Sequence, residues 1–107
     1  MNIIAVTSCA TGIAHSYMAA ETIEKVAKQQ GHEVKVEIQG ALGIENRLSA
    51  ADIAAADLMV FANDVGITEA ERFEGASAQI ARFTPHDVIR DPGALLPVFA
   101  AARAEAE

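Results

Sequence analysis

The spacing of apolar and polar residues changes several times along the first half of the chain, and each change predicts a new element. Ile3 to Thr7 is an almost continuous apolar run, typical of a buried parallel strand. From about Ile13 or His15 to Gln30, apolar residues recur at spacings of three and four, which predicts a helix that Gly31 ends. Glu33 to Gln39 alternates apolar and polar residues, which predicts a second strand with one face more exposed.

The second half of the chain continues this alternation of strands and helices. Leu58 to Ala62 predicts a third strand, and Ala78 to Phe83 predicts a fourth at a sheet edge, because polar residues interrupt it. Gly40, Gly43 and Asn46 predict a loop after the second strand, and Ser49 begins a short helix with Asp52 in capping-box spacing. A helical turn is predicted from Glu69 to Phe73. Two further helices are predicted to begin at Thr84-Pro85 and Asp91-Pro92, because in each pair a residue with a side-chain oxygen precedes a proline.

Strands that alternate with helices indicate right-handed βαβ crossovers and a parallel sheet. We therefore expect one α/β domain over residues 1–107. The expected fold is a three-layer αβα sandwich around an open, Rossmann-like sheet of four parallel strands, with a phosphate-binding loop after the first strand. A hydrophobic fraction of 51% with only 5% aromatic residues suits a core built mainly from Ala, Val, Ile and Leu.

Charge and cysteine usage exclude several classes of function. The net charge of -7, from 8 basic and 15 acidic residues, argues against a nucleic-acid surface. A single cysteine excludes an internal disulfide and a cysteine-based metal cage, and it favours a reducing cytosol. No basic leader is apparent, and no apolar run approaches the roughly 20 residues that cross a bilayer. We expect a cytoplasmic chain that does not insert into a membrane.

Cys9 is the residue most suited to chemistry. It follows the first strand and precedes the first helix, at the carboxyl edge where open α/β sheets bind ligands. The short residues of positions 10–14 allow backbone N–H groups to turn inward, and the helix adds about half a positive charge at its N-terminus. Such surroundings lower a thiol pKa to roughly 3.5 to 7.5 and can hold the oxygens of a phosphoryl group. Thr11 and Ser16 offer hydroxyl donors.

Other interpretations of these residues remain open. Cys9 can also be a small buried residue at a strand end, and His15 a surface residue in the first turn of a helix instead of a group that polarises phosphate. His32 and His86 are interpreted as surface residues.

Motifs for dinucleotides, nucleoside triphosphates and thiol redox chemistry are absent. A low-molecular-weight tyrosine phosphatase would need an arginine closing the loop, where this chain has His15-Ser16.

These residues resemble the enzyme IIB domain of the fructose type of the bacterial phosphoenolpyruvate-dependent sugar phosphotransferase system (PTS). The loop of that family reads Cys-Pro-Thr-Gly-Ile-Ala-His-Thr, and this chain has Cys9-Ala10-Thr11-Gly12-Ile13-Ala14-His15-Ser16. Ala10 and Ser16 differ from the family loop, and Ile38 and Ala76 are further departures. The later segments that match are Val36-Glu37-Ile38-Gln39-Gly40, Gly43, Asn46-Arg47-Leu48, Ala56-Asp57 and Arg72-Phe73-Glu74-Gly75.

The resemblance implies a relay. In this relay, a phosphohistidine of a IIA domain would phosphorylate Cys9. The phosphocysteine would then give the phosphoryl group to a fructose-like sugar that is taken up through a membrane IIC component. The chain would be cytoplasmic and peripheral to the inner membrane through its contact with IIC. The phosphate-binding loop would be residues 10–16, and no metal or cofactor is implied. Alternatives are a regulatory, phosphorylation-sensing module and a phosphatase-like hydrolase. Residues near predicted strand ends are candidate partner contacts, namely Gln39, Asp64, Val65 and Arg72.

Overall fold

The strands and helices that form are mostly those that the sequence pattern predicts. The computed structural model describes residues 1–8, 13–40, 43–74 and 78–106. In these ranges the elements are β1 (Asn2–Ser8), α1 (Ile13–Gln29), β2 (Glu33–Gly40), β3 (Gly43–Glu45), α2 (Ala50–Ala55), β4 (Leu58–Asn63), β5 (Gln79–Phe83), α3 (Pro85–Arg90) and α4 (Leu95–Ala106), with 3₁₀ turns at Ala70–Phe73 and Pro92–Ala94.

The five described strands form one sheet in the order β3-β2-β1-β4-β5. β1 pairs in parallel with both β2 and β4, and β4 pairs in parallel with β5, so the four predicted parallel strands are confirmed. β3 pairs antiparallel with β2, in a segment that we predicted as a loop. Three residues are too few to show a period of two, and the φ of 122° at Gly43 is a conformation that mainly glycine adopts.

Apolar layers cover both faces of the sheet. On one face, Ile3 and Ala5 of β1 lie in a cluster with residues of α1, α3 and α4, including Ile23 and Phe99. On the other face, Ile4 and Val6 lie in a cluster with Ile53 of α2, together with Leu48, Ala56, Met59, Phe61 and Phe73. Because successive strand residues point to opposite faces, a strand covered on both sides reads as a continuous apolar run, as Ile3 to Thr7 does.

Local signals at three predicted helix ends are confirmed. Gly31 ends α1 with a φ of 79°, and the N–H groups of Gly31 and His32 donate to the carbonyls of Lys28 and Ala27, both at 3.0 Å. α2 and α3 each begin with a complete capping box, from Ser49 to Asp52 and from Thr84 to Asp87. None of the described helices has the length and apolarity that a membrane span requires.

The predicted cap at Asp91 is wrong. Its side chain makes no capping hydrogen bond, and a 3₁₀ turn over Pro92–Ala94 precedes α4. The backbone N–H of Asp91 donates to the carbonyl of Asp87 at 3.0 Å, which makes Asp91 the last cap of α3. Because that role fixes its backbone away from the extended conformation that an N-cap residue needs, Asp91 cannot serve the next helix.

The prediction that one face of β2 is more exposed holds only for its first half. Glu33 and Lys35 are exposed, but all four residues from Val36 to Gln39 are buried. Glu37 and Gln39 therefore lie beneath other segments at the carboxyl end of the sheet. That end is where we expect a ligand to bind.

Candidate functional site

The candidate site lies where β1 ends and α1 begins. Residues 9–12, which include Cys9, Ala10, Thr11 and Gly12, lie outside the described residues, as do Gly75 and Ala76. Of the other predicted loop residues, Ile13 is the first residue of α1, and Ala14 and His15 are exposed in the first turn of this helix. Ser16, the last predicted loop residue, is completely buried. The end of the predicted loop is therefore helical.

Two buried hydroxyl groups lie in the layer between the sheet and α1. Thr7 is 0% exposed, and the alternation of β1 puts it on the face of Ile3 and Ala5. Ser16 is also 0% exposed, on the buried face of α1 that continues with Ala20 and Ile23. Within the ranges that the structure describes, neither hydroxyl oxygen has a hydrogen-bond partner. An unsatisfied buried hydroxyl costs about 1–3 kcal/mol, so this pair calls for an explanation.

Sequence reasoning identified Ser16 but missed Thr7. Threonine is β-branched and common in strands, so Thr7 reads as part of the apolar run of β1. A signal was available in its position, because Thr7 is the first polar side chain of that run and stands two residues before Cys9. Side chains two residues apart on an extended chain share a face.

His15 has a second imidazole beside it. The rings of His15 and His86 meet edge to face, with centroids 6.2 Å apart. His86 is exposed in the first turn of α3, as predicted, but it is not remote from the site, because α3 and α1 lie on the same face of the sheet. Sequence distance alone could not reveal this neighbour.

The interpretation of His32 as a surface residue needs correction. The residue is half-buried, and its ring packs edge to face against Phe99 at a centroid distance of 5.7 Å. Its Nδ1 also lies 3.3 Å from the N-terminal amino group. His32 lies between α1 and β2, at the amino end of the parallel strands and therefore away from the carboxyl end of β1.

A buried carboxylate organises the carboxyl edge next to the site. Glu37 is 0% exposed and accepts two hydrogen bonds from the guanidinium of Arg72, at 3.0 and 2.8 Å. It also accepts from the backbone N–H of Leu48 and from Gln39 Nε2, both at 2.9 Å. Burial raises the pKa of Glu37, but the hydrogen bonds from Arg72, Leu48 and Gln39 outweigh it, so that the pKa lies below its usual range.

Arg72 and Gln39 extend this network to neighbouring segments. Arg72 also donates to the carbonyls of Leu48 and Glu69, at 3.2 and 3.1 Å. The side-chain amide of Gln39 accepts from the N–H of Thr68 at 2.8 Å and donates to its carbonyl at 2.9 Å. We call the group Glu37, Gln39, Leu48, Thr68 and Arg72 the edge network. It joins β2 to the segments that follow β3 and β4.

The four predicted partner contacts therefore differ in their surroundings. Gln39 is buried and Arg72 is largely covered within the edge network. Asp64 is exposed and Val65 half-buried directly after β4, where the N–H of Asp64 donates to the carbonyl of Ser8 at 3.2 Å. The edge network itself was not predicted, because the alternating pattern of β2 indicated solvent around Glu37.

Among the described residues, no cluster of three or more metal-ligating side chains is present. The polar groups at this edge are instead hydroxyls, imidazoles and a paired carboxylate. Hydroxyl groups and imidazole N–H groups can donate hydrogen bonds to an anionic group.

Comparison with known proteins provides a further line of evidence. The sequence model of the family described as the lactose/cellobiose-specific IIB subunit of the PTS system matches residues 4–97. The PTS system fructose-like EIIB component 2 of Escherichia coli K12 is 48% identical over 94 residues, which are 88% of this chain and 87% of that protein. The 2-O-alpha-mannosyl-D-glycerate-specific EIIABC component of the same strain is 51% identical over 76 residues, which are 71% of this chain and 12% of that protein.

The fold of a solved structure agrees with these similarities. The solution structure of the Enzyme IIB subunit of a PTS system from Escherichia coli K12 matches with a TM-score of 0.87 at 37% identity. The match covers 99% of this chain and 97% of that chain. The α/β sandwich expected from the sequence is therefore the architecture of a solved IIB subunit.

Proposed function

Because the chain belongs to the IIB subunit family of the sugar phosphotransferase system, we propose that it carries a phosphoryl group on the sulfur of Cys9. The observation that carries this proposal is the topology around β1. The chain leaves β1 for β2 on one side and later returns to β4 on the other side, so the strand order reverses at β1. Ligands of open α/β sheets bind at such a switch point, and Cys9 is the residue after β1.

The proposed chemistry has two transfers. In the first, the thiolate of Cys9 attacks the phosphorus of a phosphohistidine on a IIA domain, an S–P bond forms and the N–P bond breaks. The imidazole leaves as a neutral group when its other nitrogen holds a proton. In the second, a sugar hydroxyl attacks, an O–P bond forms, the S–P bond breaks, and the hydroxyl proton passes to solvent or to a base of the membrane IIC component. The first transfer returns the histidine of the IIA domain to its unphosphorylated form, and the second returns Cys9 to the thiolate.

The residues of the proposed loop have a shared role in this chemistry. The backbone N–H groups of residues 10–16 and the hydroxyls of Thr11 and Ser16 would donate to the phosphoryl oxygens. His15, exposed in the first turn of α1, would polarise the phosphoryl group or orient the loop. Preorganised donors of this kind stabilise the charge that spreads over the oxygens in the transition state, without a metal or cofactor.

The proposed partners are a phosphorylated IIA domain and a membrane IIC component, with the chain at the cytoplasmic face of the inner membrane through IIC. The name EIIABC of one relative supports this, since it joins a B component to A and C components in one protein. Asp64 and Val65 lie on the accessible rim after β4. Gln39 and Arg72 would act on partners through the segments that the edge network holds. The whole chain, residues 1–107, is proposed as one IIB domain.

A hydrolase is the less favoured alternative. A phosphatase of similar topology needs an arginine that clamps the phosphate, and the first turn of α1 offers His15 and Ser16 instead. Arg72, at the same edge, has its guanidinium bound by Glu37. An aryl phosphate assay separates the two functions, because a carrier should show almost no turnover.

Phosphorylation by the upstream relay tests the proposal directly. The chain, incubated with the phosphorylated IIA domain, should gain one phosphoryl group in its intact mass spectrum, and Cys9→Ser should gain none. Lys28→Gln, at the far end of α1, is the matched control and should be labelled like the parent chain. Labelling of Cys9→Ser at the parent level would reject Cys9 as the carrier.

A further inference from the structure

The apolar layer that includes α2 is incomplete at the edge strand β5. Arg82 pairs in register with Phe61, a member of the cluster on this face, and Ile80 points the same way two residues earlier. Both β5 side chains are exposed, and Ile80 is 48% exposed. On the other face of the strand, Ala81 and Phe83 pack against the opposite cluster. Only one face of β5 is therefore open to solvent at an apolar residue.

A groove of about 390 Å³ lies beside this open face. Its lining includes the rings of Phe61 and Phe73, which meet edge to face with centroids 5.3 Å apart. Ile67, from the segment after β4, and Ile80 also line it. The guanidinium of Arg82 lies over the ring of Phe61, 5.3 Å from its centroid. The groove thus combines aromatic and aliphatic surface with a cation, as recognition sites commonly do.

Arg82 has no acidic partner in the described part of the chain, where the salt bridges all join other residues. Glu74 lines the same groove, but its carboxylate is not within salt-bridge distance of Arg82. A free guanidinium beside apolar surface favours a carboxylate as its partner. The negative charge of Glu74 disfavours a carboxylate on its own side of the groove, so an acidic group of a partner should lie next to Arg82.

β5 is the last strand of the sheet, and no described strand pairs with its outer side. Such an edge can add an extended peptide through backbone hydrogen bonds. We propose that β5 and the groove bind an extended segment of a partner protein, with a large apolar residue beside Ile80 and an acidic residue two positions away beside Arg82. Because β4 lies between β5 and β1, this surface is separate from the carrier site, and the proposal does not depend on the carrier role of Cys9.

The spacing of the two partner residues follows from the geometry of paired strands. Side chains directly opposite on neighbouring strands have Cβ atoms about 4.5–5.5 Å apart, and diagonal neighbours are still within reach of aromatic and long side chains. A phenylalanine of the added strand can therefore cover Ile80 and reach the groove. A glutamate two positions away shares its face and can accept two hydrogen bonds from the guanidinium of Arg82.

Two synthetic peptides test this proposal on the full chain. Acetyl-Thr-Phe-Thr-Glu-Thr-amide presents the two side chains in the order of a parallel strand, and acetyl-Thr-Glu-Thr-Phe-Thr-amide in the order of an antiparallel strand. Titration into the isotope-labelled chain, followed by NMR, should shift the backbone N–H signals of Ile80, Ala81 and Arg82 to saturation with at least one peptide. Lysine in place of the peptide glutamate should weaken binding by about tenfold or more.

Variants of the chain locate the two contacts. Arg82→Gln and Ile80→Gln should each weaken peptide binding by about fivefold, because each removes one contact. Glu74→Gln should strengthen binding, because it removes a like charge from the groove. Arg90→Gln and Leu96→Gln are the matched controls, since they remove an exposed arginine and an exposed leucine elsewhere. Both controls should bind the peptide like the parent chain, and urea unfolding checks that every variant folds.

Several results would overturn the proposal. They are the lack of saturating shifts in β5 with either peptide, equal binding of the lysine peptides, and an unchanged affinity in Arg82→Gln. Shifts of the same signals that depend on protein concentration without peptide, together with a doubled mass in sedimentation equilibrium, would show that a second copy of the chain occupies this edge instead. Phosphorylation of Cys9 is measured separately, so failure of the peptide site leaves the carrier role untouched.

Discussion

Glu37 and Arg72 form a buried ion pair that links strand β2 to the 3₁₀ turn after β4, through two hydrogen bonds of 3.0 and 2.8 Å. The carboxylate is completely buried, and the side chain of Arg72 is 16% exposed. A bidentate arginine supplies direction as well as charge. The pair therefore fixes the segment from Thr68 to Phe73 against the sheet, beside the candidate site.

Removing either partner of this pair should be costly. We expect Arg72→Met and Glu37→Gln each to lower the free energy of unfolding by about 3–5 kcal/mol, because each leaves a buried polar group without its partner. Urea unfolding measures the loss. The double variant should lose less than the sum of the two single losses, since the second change removes a group that is already unpaired.

The pair of Arg47 and Glu69 is the matched control for this prediction. It is also bidentate, with both distances 2.7 Å, but both side chains are substantially exposed. Arg47→Gln should hardly move the unfolding midpoint, because exposed ion pairs contribute little. Equal effects of Arg47→Gln and Arg72→Met would show that burial does not matter here.

Acid should destabilise the fold in a defined pH window. The hydrogen bond from Lys35 at 2.7 Å, followed by those within the capping box of Ser49, lowers the pKa of Asp52 to about 2. A carboxyl group whose pKa is lower in the folded state contributes stability above its ordinary pKa of about 3.9. That contribution should disappear as the pH falls from about 4 to 2. Glu37, whose pKa is also lowered, adds to the loss on the same side.

The variant Lys35→Gln isolates the contribution of Asp52 to this window. Without the ammonium group, the pKa of Asp52 should lie closer to its ordinary value, so that less stability is lost between about pH 4 and 2. Urea midpoints measured from pH 7 to pH 2 provide the test. A pH profile of Lys35→Gln that runs parallel to that of the parent chain would contradict the assignment.

The fold was largely predictable because its signals are local. The apolar run of β1, the spacing in α1, the glycine at its end and the capping boxes at Ser49 and Thr84 each act within a few residues. β3 was not predictable, because it exists only through its pairing with β2. The prediction for Asp91 was wrong because this residue caps the C-terminal end of α3 and makes no side-chain cap for the turn that follows.

The candidate site was predictable only in part. Cys9 is indicated by its place after the first strand, and this needs no knowledge of tertiary structure. The neighbours that the fold brings to the first turn of α1 come from distant parts of the chain. His86 lies 6.2 Å from His15 between ring centroids, although 70 residues separate them in the sequence. The pairing of Glu37 with Arg72 is likewise a contact between distant segments, which no periodicity in β2 reveals.

The imidazole pair gives a prediction about the rate of transfer. His15→Gln should slow phosphorylation of the chain by the IIA domain by about 100-fold, which is the usual effect of losing one donor to the transferred group. His86→Gln should slow it less, because the ring of His86 lies beside His15 and outside the proposed loop. Single-turnover labelling measures both rates, with Lys28→Gln as the control. An effect of His86→Gln larger than that of His15→Gln would reverse the assigned roles.

The two kinds of predicted partner contact should respond differently to mutation. Asp64 is exposed, so Asp64→Asn should weaken the apparent affinity for the phosphorylated IIA domain, seen as a higher KM, and leave the urea midpoint unchanged.

Gln39 binds the backbone of Thr68 with both ends of its side-chain amide. Gln39→Leu should therefore speed hydrogen exchange at the Thr68 N–H, because that group loses its acceptor. The N–H of Val88, which donates to the carbonyl of Thr84 at 3.3 Å, provides the internal reference and should exchange as in the parent chain. If Thr68 keeps its protection in Gln39→Leu, the segment after β4 is held by other contacts, and the indirect role of Gln39 is wrong.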